Sequence, residues 1–251
     1  MTSDIISKPL VTVTNVIWSY DHAKEQVVVL LVKKADEPFY NFWSLPETFL
    51  RATESADDAA LRLIADKIGI QLNDYHTEQL ATFSAVGRTK GDRHLALAYM
   101  TFLPDMPNVV AGAGALDVAW FTLKGAGTTY SLINETTTID LPEEKMSDAD
   151  FYASPAVQNG AVQLAYDHEL IIRTAVVRVR NKLDYAPTIL HVLGAEFTLK
   201  GARSVYAPFL RLPSQAIDNS NFRKTHAHLF EETGAKRSVG KGRPAKIYRL
   251  K

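Results

Sequence analysis

The chain has 251 residues, of which 46% are hydrophobic, enough to bury one large core or two modest ones and too apolar for disorder throughout. Cysteine is absent, which excludes disulfide frameworks, zinc ribbons and thiol nucleophiles. The formal net charge is zero, yet residues 1–160 carry 12 Lys and Arg against 21 Asp and Glu and residues 161–251 carry 16 against 7, so an acidic half precedes a basic half suited to an anionic partner.

Met1 to Leu10 lacks the basic and apolar regions of a secretory signal. The longest apolar run, Val27 to Val32, falls far short of the roughly 20 residues a membrane helix needs. The expected location is therefore cytoplasmic. Val11 to Trp18 and Val27 to Lys33 are β-branched runs separated by the polar Ser19 to Gln26 and predict paired strands. From Ser55 to Ile68, Ala56, Ala59, Ala60, Leu63, Ile64 and Ile68 recur at helical spacing, and Gly69 follows as a stop. Gln79 to Val86, Leu95 to Leu103 and Ala115 to Leu123 predict further strands, divided by Gly87 to Arg93 and by a loop from Pro104 to Gly114.

Gly125 to Pro155 is weakly patterned and predicts no long element. Ala161 to Leu183 predicts a long helix whose C-terminal arginines suit the helix dipole, ended by Tyr185, Ala186 and Pro187. The class is α+β, in three parts: residues 1–155, a linking helix over 156–185, and a C-terminal module over 186–251.

In that module Phe197 to Leu210 predicts a helix with Thr198 as N-cap and Leu199, Ala202, Val205, Tyr206 and Phe209 on one face, with Pro208 expected to end it early. Asp218 caps a second predicted helix running to about Glu232. Two helices joined by a short turn, the second presenting Asn and Arg near its start, form a helix-turn-helix. The tail after Gly234 holds Lys236, Arg237, Lys241, Arg243, Lys246, Arg249 and Lys251 among glycines, as in a hairpin wing. The implied partner is duplex DNA. Asn pairs two-pronged with adenine and Arg with guanine, so Asn221 and Arg223 are the candidate base readers. Lys224, Thr225, Lys241, Arg243 and Lys246 complete the expected interface, the lysines and Arg243 as phosphate anchors.

Leu183 to Tyr185, Phe197 to Leu199, Val205 and Tyr206, Asn221 to Lys224 and Gly242 to Arg249 together resemble the C-terminal domain of the Nudix-related transcriptional regulators, the NrtR family. Thr225 and His226 stand where that family commonly has Lys and an apolar residue. The first half resembles the Nudix fold through Trp43 to Ile70, WSLPETFLRATESADDAALRLIADKIGI. This implies an N-terminal Nudix-like α/β/α sandwich followed by a winged helix-turn-helix.

The resemblance further implies an operator-binding homodimer that responds to a small effector, such as ADP-ribose, an NAD-related nucleotide, phosphoribosyl pyrophosphate or a pentose, and that controls NAD cofactor or sugar metabolism. Glu54, Arg62, Asp66 and Gly69 match the Nudix box. Glu47 and Thr48 occupy its glycine pair, Leu63 replaces the first helix glutamate, and Lys67 replaces the last. In the family those glutamates hold Mg²⁺, so the implied domain is catalytically inactive, needing no cofactor and no metal, with Asp66 expected to pair with Lys67. An active hydrolase of nucleoside diphosphate derivatives such as ADP-ribose is the alternative. Gly87 to Arg93 resembles the segment lining the family's ligand cleft, which implies ligand contacts from Arg88, Lys90 and Arg93, joined by Arg51 and Lys33. An ordinary charged hairpin tip is the other reading of those residues.

Overall fold

The strand β1 (Leu10–Asp21) is buried along nearly its whole length because helices cover both faces of its sheet. Side chains alternate across a strand. Val13 and Ile17 therefore face α1 (Ala56–Ile68), while Val16, Trp18 and Tyr20 face the opposite layer. On β2 (Gln26–Lys34), Leu30 shares the α1 side, and Val27, Val29 and Leu31 the other. Burial on both faces explains why Val27 to Val32 reads as a continuous apolar run rather than an alternating one. The computed structural model describes residues 8–68, 76–89, 91–238 and 244–251. Gly69, Lys90, Lys241 and Arg243, singled out above, lie outside the described residues.

Among the described residues the sheet has nine strands. Its main path is β5 (His76–Phe83), β6 (His94–Phe102), β1, β2, β7 (Ala115–Ala126), β8 (Thr129–Ile133) and β9 (Thr138–Asp140). Two short strands sit off this path, β3 (Trp43–Ser44) on β2 and β4 (Glu47–Phe49) on β1. β1 and β6 run parallel, from Leu10 opposite His94 to Trp18 opposite Phe102, and β1 and β2 form an antiparallel hairpin.

Several elements differ from expectation. β5 ends at Phe83, and Val86 to Arg88 form a single 3-10 turn. The segment 125–155 is ordered by pairing of β8 with β7 and of β9 with β8, followed by the short helices α2 (Asp148–Ala153) and α3 (Pro155–Asn159). The helix expected from Ala161 begins only at His168, as α4 (His168–Lys182). Ahead of it, Leu164 bridges to Trp43, Ala165 N–H donates to Trp43 O at 2.9 Å, and Tyr166 takes a left-handed φ of 57°. Glu169 accepts the Gln163 and Leu164 N–H groups, holding that approach extended. Tertiary pairing here outweighs the helical periodicity of the sequence.

α4 and α5 (Leu199–Leu210) make the second helical layer on the sheet. α4 is buried on most sides from His168 to Val176. Thr198 caps α5 as expected, its hydroxyl accepting from Gly201 N–H. The early end expected from Pro208 does not occur. The helix continues to Leu210 and closes on Arg211 at φ 57°, whose N–H bonds Ala207 O and Pro208 O, so the helix carries Pro208 in its last turn without the N–H that would have bonded Ser204 O.

Around α5 the C-terminal module adds a 3-10 turn at Thr188–Leu193, β10 (Phe197–Thr198), α6 (Asn219–Thr225), β11 (Phe230–Arg237) and β12 (Ala245–Leu250), with sheet order β10-β12-β11. α6 stops at Thr225 rather than near Glu232. Leu229 lies in the following turn, and Phe230 opens β11, pairing with Leu250. The recruitment of Phe230 to Arg237 into the wing hairpin ends the helix.

The hydrophobic core runs without a break from the nine-stranded sheet through α4 and α5 into the C-terminal module. Trp18 and Phe209 meet edge to face with ring centroids 5.6 Å apart. Tyr130 Oη donates to Phe209 O at 2.7 Å, and Tyr206 Oη to Leu183 O at 2.8 Å. Glu144 carries Arg180 of α4 and Arg211 at the end of α5. Arg211 also covers the Tyr130 ring at 4.4 Å. Among the described residues, no helix is long and apolar enough to cross a membrane.

Candidate nucleic-acid interface and ligand site

α6 is fixed at both ends and open along one face. Asp218 accepts from Asn221 N–H at 2.7 Å, and Phe222 on the inner face packs on Tyr206 and Phe230. Asn221, Arg223, Lys224 and Thr225 are all exposed, and among the described residues no hydrogen bond or ion pair engages the side chains of Asn221, Arg223 or Lys224. The helix thus presents polar donors to solvent at helical spacing. His226 is buried and stacks on Phe230 at 5.7 Å, while its Nδ1 lies 2.9 Å from Phe222 O. Its Nε2 is 3.3 Å from Asp184 without the alignment of a hydrogen bond. A histidine here serves the core rather than the nucleic-acid face.

The wing is a hairpin in which two cations face carboxylates. Lys246 contacts Glu232 at 2.8 Å, and Arg249 contacts Glu231 at 2.9 Å. Lys246, expected as a free phosphate anchor, is thus already paired. Such an exposed pair is weakly held, contributing roughly 0–1 kcal/mol, so a phosphate can displace the carboxylate.

In the segment from Trp43 to Ile68, Arg62 is the centre of a polar cluster. Its Nε and Nη2 donate to Glu54 at 2.8 and 2.7 Å, its Nη1 to Thr48 Oγ1 at 3.1 Å and to Asp66 at 3.3 Å, and its Nη2 also to Phe49 O. Arg51 N–H adds a third donor to Glu54 at 2.8 Å. These bonds hold the Glu54 carboxyl down at about 2, the Arg62 hydrogen bond being the largest cause. The expected pairing of Asp66 with Lys67 is not found. Asp66 turns to Arg62, and Lys67 reaches across to donate to Ala113 O in the loop after β6.

Magnesium wants several open oxygen ligands in near-octahedral array. Here both Glu54 oxygens and one Asp66 oxygen already accept from Arg62, and Leu63 faces the core fully buried. The residues present do not fit that ion.

Glu47, in place of a glycine, joins a second polar cluster. Lys34 donates to it at 3.0 Å, and His168 Nε2 lies 3.8 Å away. His168 is fully buried, and desolvation pushes its pKa well below the ordinary value, so the ring is neutral. Its Nδ1 accepts from Leu45 N–H at 2.9 Å, which places the ring proton on Nε2.

The loop expected to bind ligand is tied into the protein at two of its arginines. Arg88 is buried and grips Asp167 through Nε at 3.0 Å and Nη2 at 2.8 Å, while Tyr152 Oη completes the carboxylate at 2.6 Å. Two of its guanidinium nitrogens are thus engaged inside the protein. Arg93 donates to Ala85 O at 2.8 Å and Ser84 O at 2.6 Å, pinning the loop's own backbone. Lys33 lies over the Trp43 ring at 5.4 Å. Arg51 is exposed and apart from this cluster.

The cavity beside the loop, of about 420 Å³, is lined by Phe39, Phe42, His94 and Tyr166 together with Gly87, Arg88 and Thr89 of the loop itself. Phe39 packs against Tyr166 at 4.5 Å, and the Lys34 ammonium covers the other side of Tyr166 at 5.2 Å. The sequence signal for this wall was the aromatic run after Pro38, which charge-centred reasoning passed over.

Comparison with known proteins follows the same division. A family model described as the NrtR DNA-binding winged helix domain matches residues 189–250. A MutT/nudix family protein from Enterococcus faecalis is 32% identical, with a TM-score of 0.82, the match covering 100% of this chain and 90% of that one. The Shewanella oneidensis NrtR crystallised with a 27mer DNA is 27% identical, covers 96% of this chain and 93% of that one, and superposes with a TM-score of 0.66. The ADPR responsive transcriptional repressor NtrR of Acinetobacter baylyi is 23% identical over 246 residues, 96% of this chain and 82% of that protein.

Proposed function

Because this chain belongs to the MutT/Nudix family and ends in an NrtR-type winged helix, we propose that it is a ligand-responsive transcriptional repressor binding operator DNA as a homodimer. The observation that carries this reading is the exposed, unengaged row of Asn221, Arg223 and Lys224 on α6, in a module whose other helix, α5, packs directly onto the sensor's sheet. Asn221 and Arg223 read base edges, Thr225 adds a hydroxyl contact, and Lys224, Lys246, Lys241 and Arg243 hold phosphates. Residues 1–155 are the sensing domain, residues 156–185 connect it, and residues 186–251 bind DNA.

The Nudix-like domain senses without cleaving. Capture of Glu54 and Asp66 by Arg62, together with Leu63 and Lys67 at positions where the box carries carboxylates, supports this part of the reading. The effector is a nucleotide or phosphorylated sugar metabolite that enters the aromatic cavity by Tyr166. ADP-ribose is the first candidate, given the ADPR responsive relative from Acinetobacter baylyi. Control of NAD cofactor or sugar metabolism follows from that choice of effector.

A mobility-shift assay with the DNA upstream of the chain's own coding region, against a random duplex of equal length, tests the reading. Retardation of the upstream fragment at protein concentrations on the order of 10³-fold lower than the random duplex supports it. Equal retardation of both reduces the chain to a general nucleic-acid binder.

A further inference from the structure

A groove of about 330 Å³ opens between the start of α5, the start of α6 and β12, lined by Lys200, Arg203, Arg223 and Lys246 among others. Four cations from three elements converge there, and two carry carboxylate partners. Lys246 has Glu232 from its own hairpin, whereas Lys200 has Glu25, which belongs to the turn between β1 and β2 of the sensor. Arg203 is tied to Ile217 O at 2.8 Å and leaves its Nε without a partner. Arg223 has none.

We propose that Lys200, Arg203 and Lys246 in this groove seat phosphates of the DNA backbone, Arg223 being kept for a base edge, and that Glu25 is a built-in competitor for Lys200, a sensor carboxylate held where a phosphate docks. The inference rests on the DNA-binding reading above and adds a site to it. Two features place the carboxylate. Asp21 accepts from Ala23 N–H at 2.9 Å and Lys24 N–H at 3.0 Å, shaping the turn, and Glu25 sits at a left-handed φ of 53°. α5 cannot drift from this turn freely, since Phe209 and Pro208 are packed on Trp18 and Gly125 of the sheet.

The pair itself is exchangeable. Lys200 is 59% exposed and Glu25 46%, so their attraction is screened. A phosphate entering the groove gains counterion release that Glu25 cannot match. The site is therefore connected to the sensor, because β2 begins at Gln26, next to Glu25, and ends at Lys34 beside the aromatic cavity.

The test uses the full chain, fluorescence anisotropy on the upstream duplex and on a random duplex, and a series of salt concentrations, with Glu25→Gln, Lys200→Ala and the double variant. Thermal melts confirm that each is folded. Glu25→Gln is expected to tighten both duplexes by about two- to fivefold, the scale of an exposed ion pair. Lys200→Ala is expected to weaken both and to lower the slope of log K against log salt by about 0.9, one phosphate contact. The double variant is expected to match Lys200→Ala alone. An unchanged affinity in Glu25→Gln, or an unchanged salt slope in Lys200→Ala, overturns the proposal while leaving the DNA-binding reading intact. Failure of the unaltered chain to bind either duplex overturns that reading, and the groove with it.

Discussion

Arg62 closes on Glu54 with two near-parallel hydrogen bonds, Nη2 to Oε1 at 2.7 Å and Nε to Oε2 at 2.8 Å. A carboxylate gripped in this two-pronged fashion by a guanidinium is held in one orientation and stays charged. Glu54 therefore ties the loop after β4 to α1.

The first prediction concerns this carboxylate. With Mg²⁺ and ADP-ribose, the unaltered chain is expected to release no phosphate-bearing product above background, and Glu54→Gln to leave that unchanged while lowering the melting temperature. Product analysis by chromatography, paired with a thermal melt, checks both. Turnover that Glu54→Gln abolishes would restore the hydrolase reading.

Arg88 and Asp167 give a second prediction. Both side chains are almost wholly buried, so Asp167→Asn leaves a guanidinium without its counter-charge, and breaking such a pair costs about 3–5 kcal/mol. Denaturant unfolding is expected to show a loss on that scale. If Arg88 instead contacted the effector, Arg88→Lys would weaken effector binding while leaving stability near that of the unaltered chain.

Acid stability supplies a third. Glu144 is held down at about 2, chiefly by the Arg180 hydrogen bond and next by that of Arg211, against an ordinary value of 4.5. A depressed folded-state value means that the stabilisation is fully present above 4.5 and fades as pH falls toward 2. The melting temperature is expected to fall through that window. Glu144→Gln is expected to begin lower at neutral pH and to fall less steeply, because one of the titrating groups is gone while Glu54 remains. Parallel curves for the two proteins would remove Glu144 from the account.

The recognition helix gives a fourth. Arg223→Ala is expected to cost about 1–3 kcal/mol on the upstream duplex and to relax preference at one base pair, as loss of a base contact does. Lys224→Ala is expected to weaken all duplexes alike. Competition titrations with single-base operator variants separate the two, and an equal loss on every sequence for both would overturn the division of roles.

The architecture was legible where residues carry their own pattern. β1, β2 and α1 could be read because burial on both faces produces apolar runs and α1 keeps a helical period. The turn chemistry of Thr198 and Asp218 located the starts of α5 and α6. Elements ordered by partners were not legible: β8 and β9 exist through pairing with β7, α4 starts late because Trp43 captures Ala165, and α6 ends early because Phe230 joins the wing. The same holds at the ligand site. Arg88 and Arg93 looked available because sequence shows charge and not its counterpart. Asp167, 79 positions from Arg88, and the Ser84 and Ala85 carbonyls decide what those cations do. Glu25 escaped notice for that reason too, since its partner Lys200 lies in the other module.

An effector regulates DNA binding only if it prefers one of the DNA-competent and DNA-incompetent states, and the preference is reciprocal. The most direct test titrates the upstream duplex with the chain at fixed salt, with and without saturating ADP-ribose, and then measures ADP-ribose affinity with and without the duplex. The account predicts that each ligand changes the other's dissociation constant by the same factor, at least about fivefold. Unchanged duplex affinity at saturating ADP-ribose, with ADP-ribose bound, would contradict it.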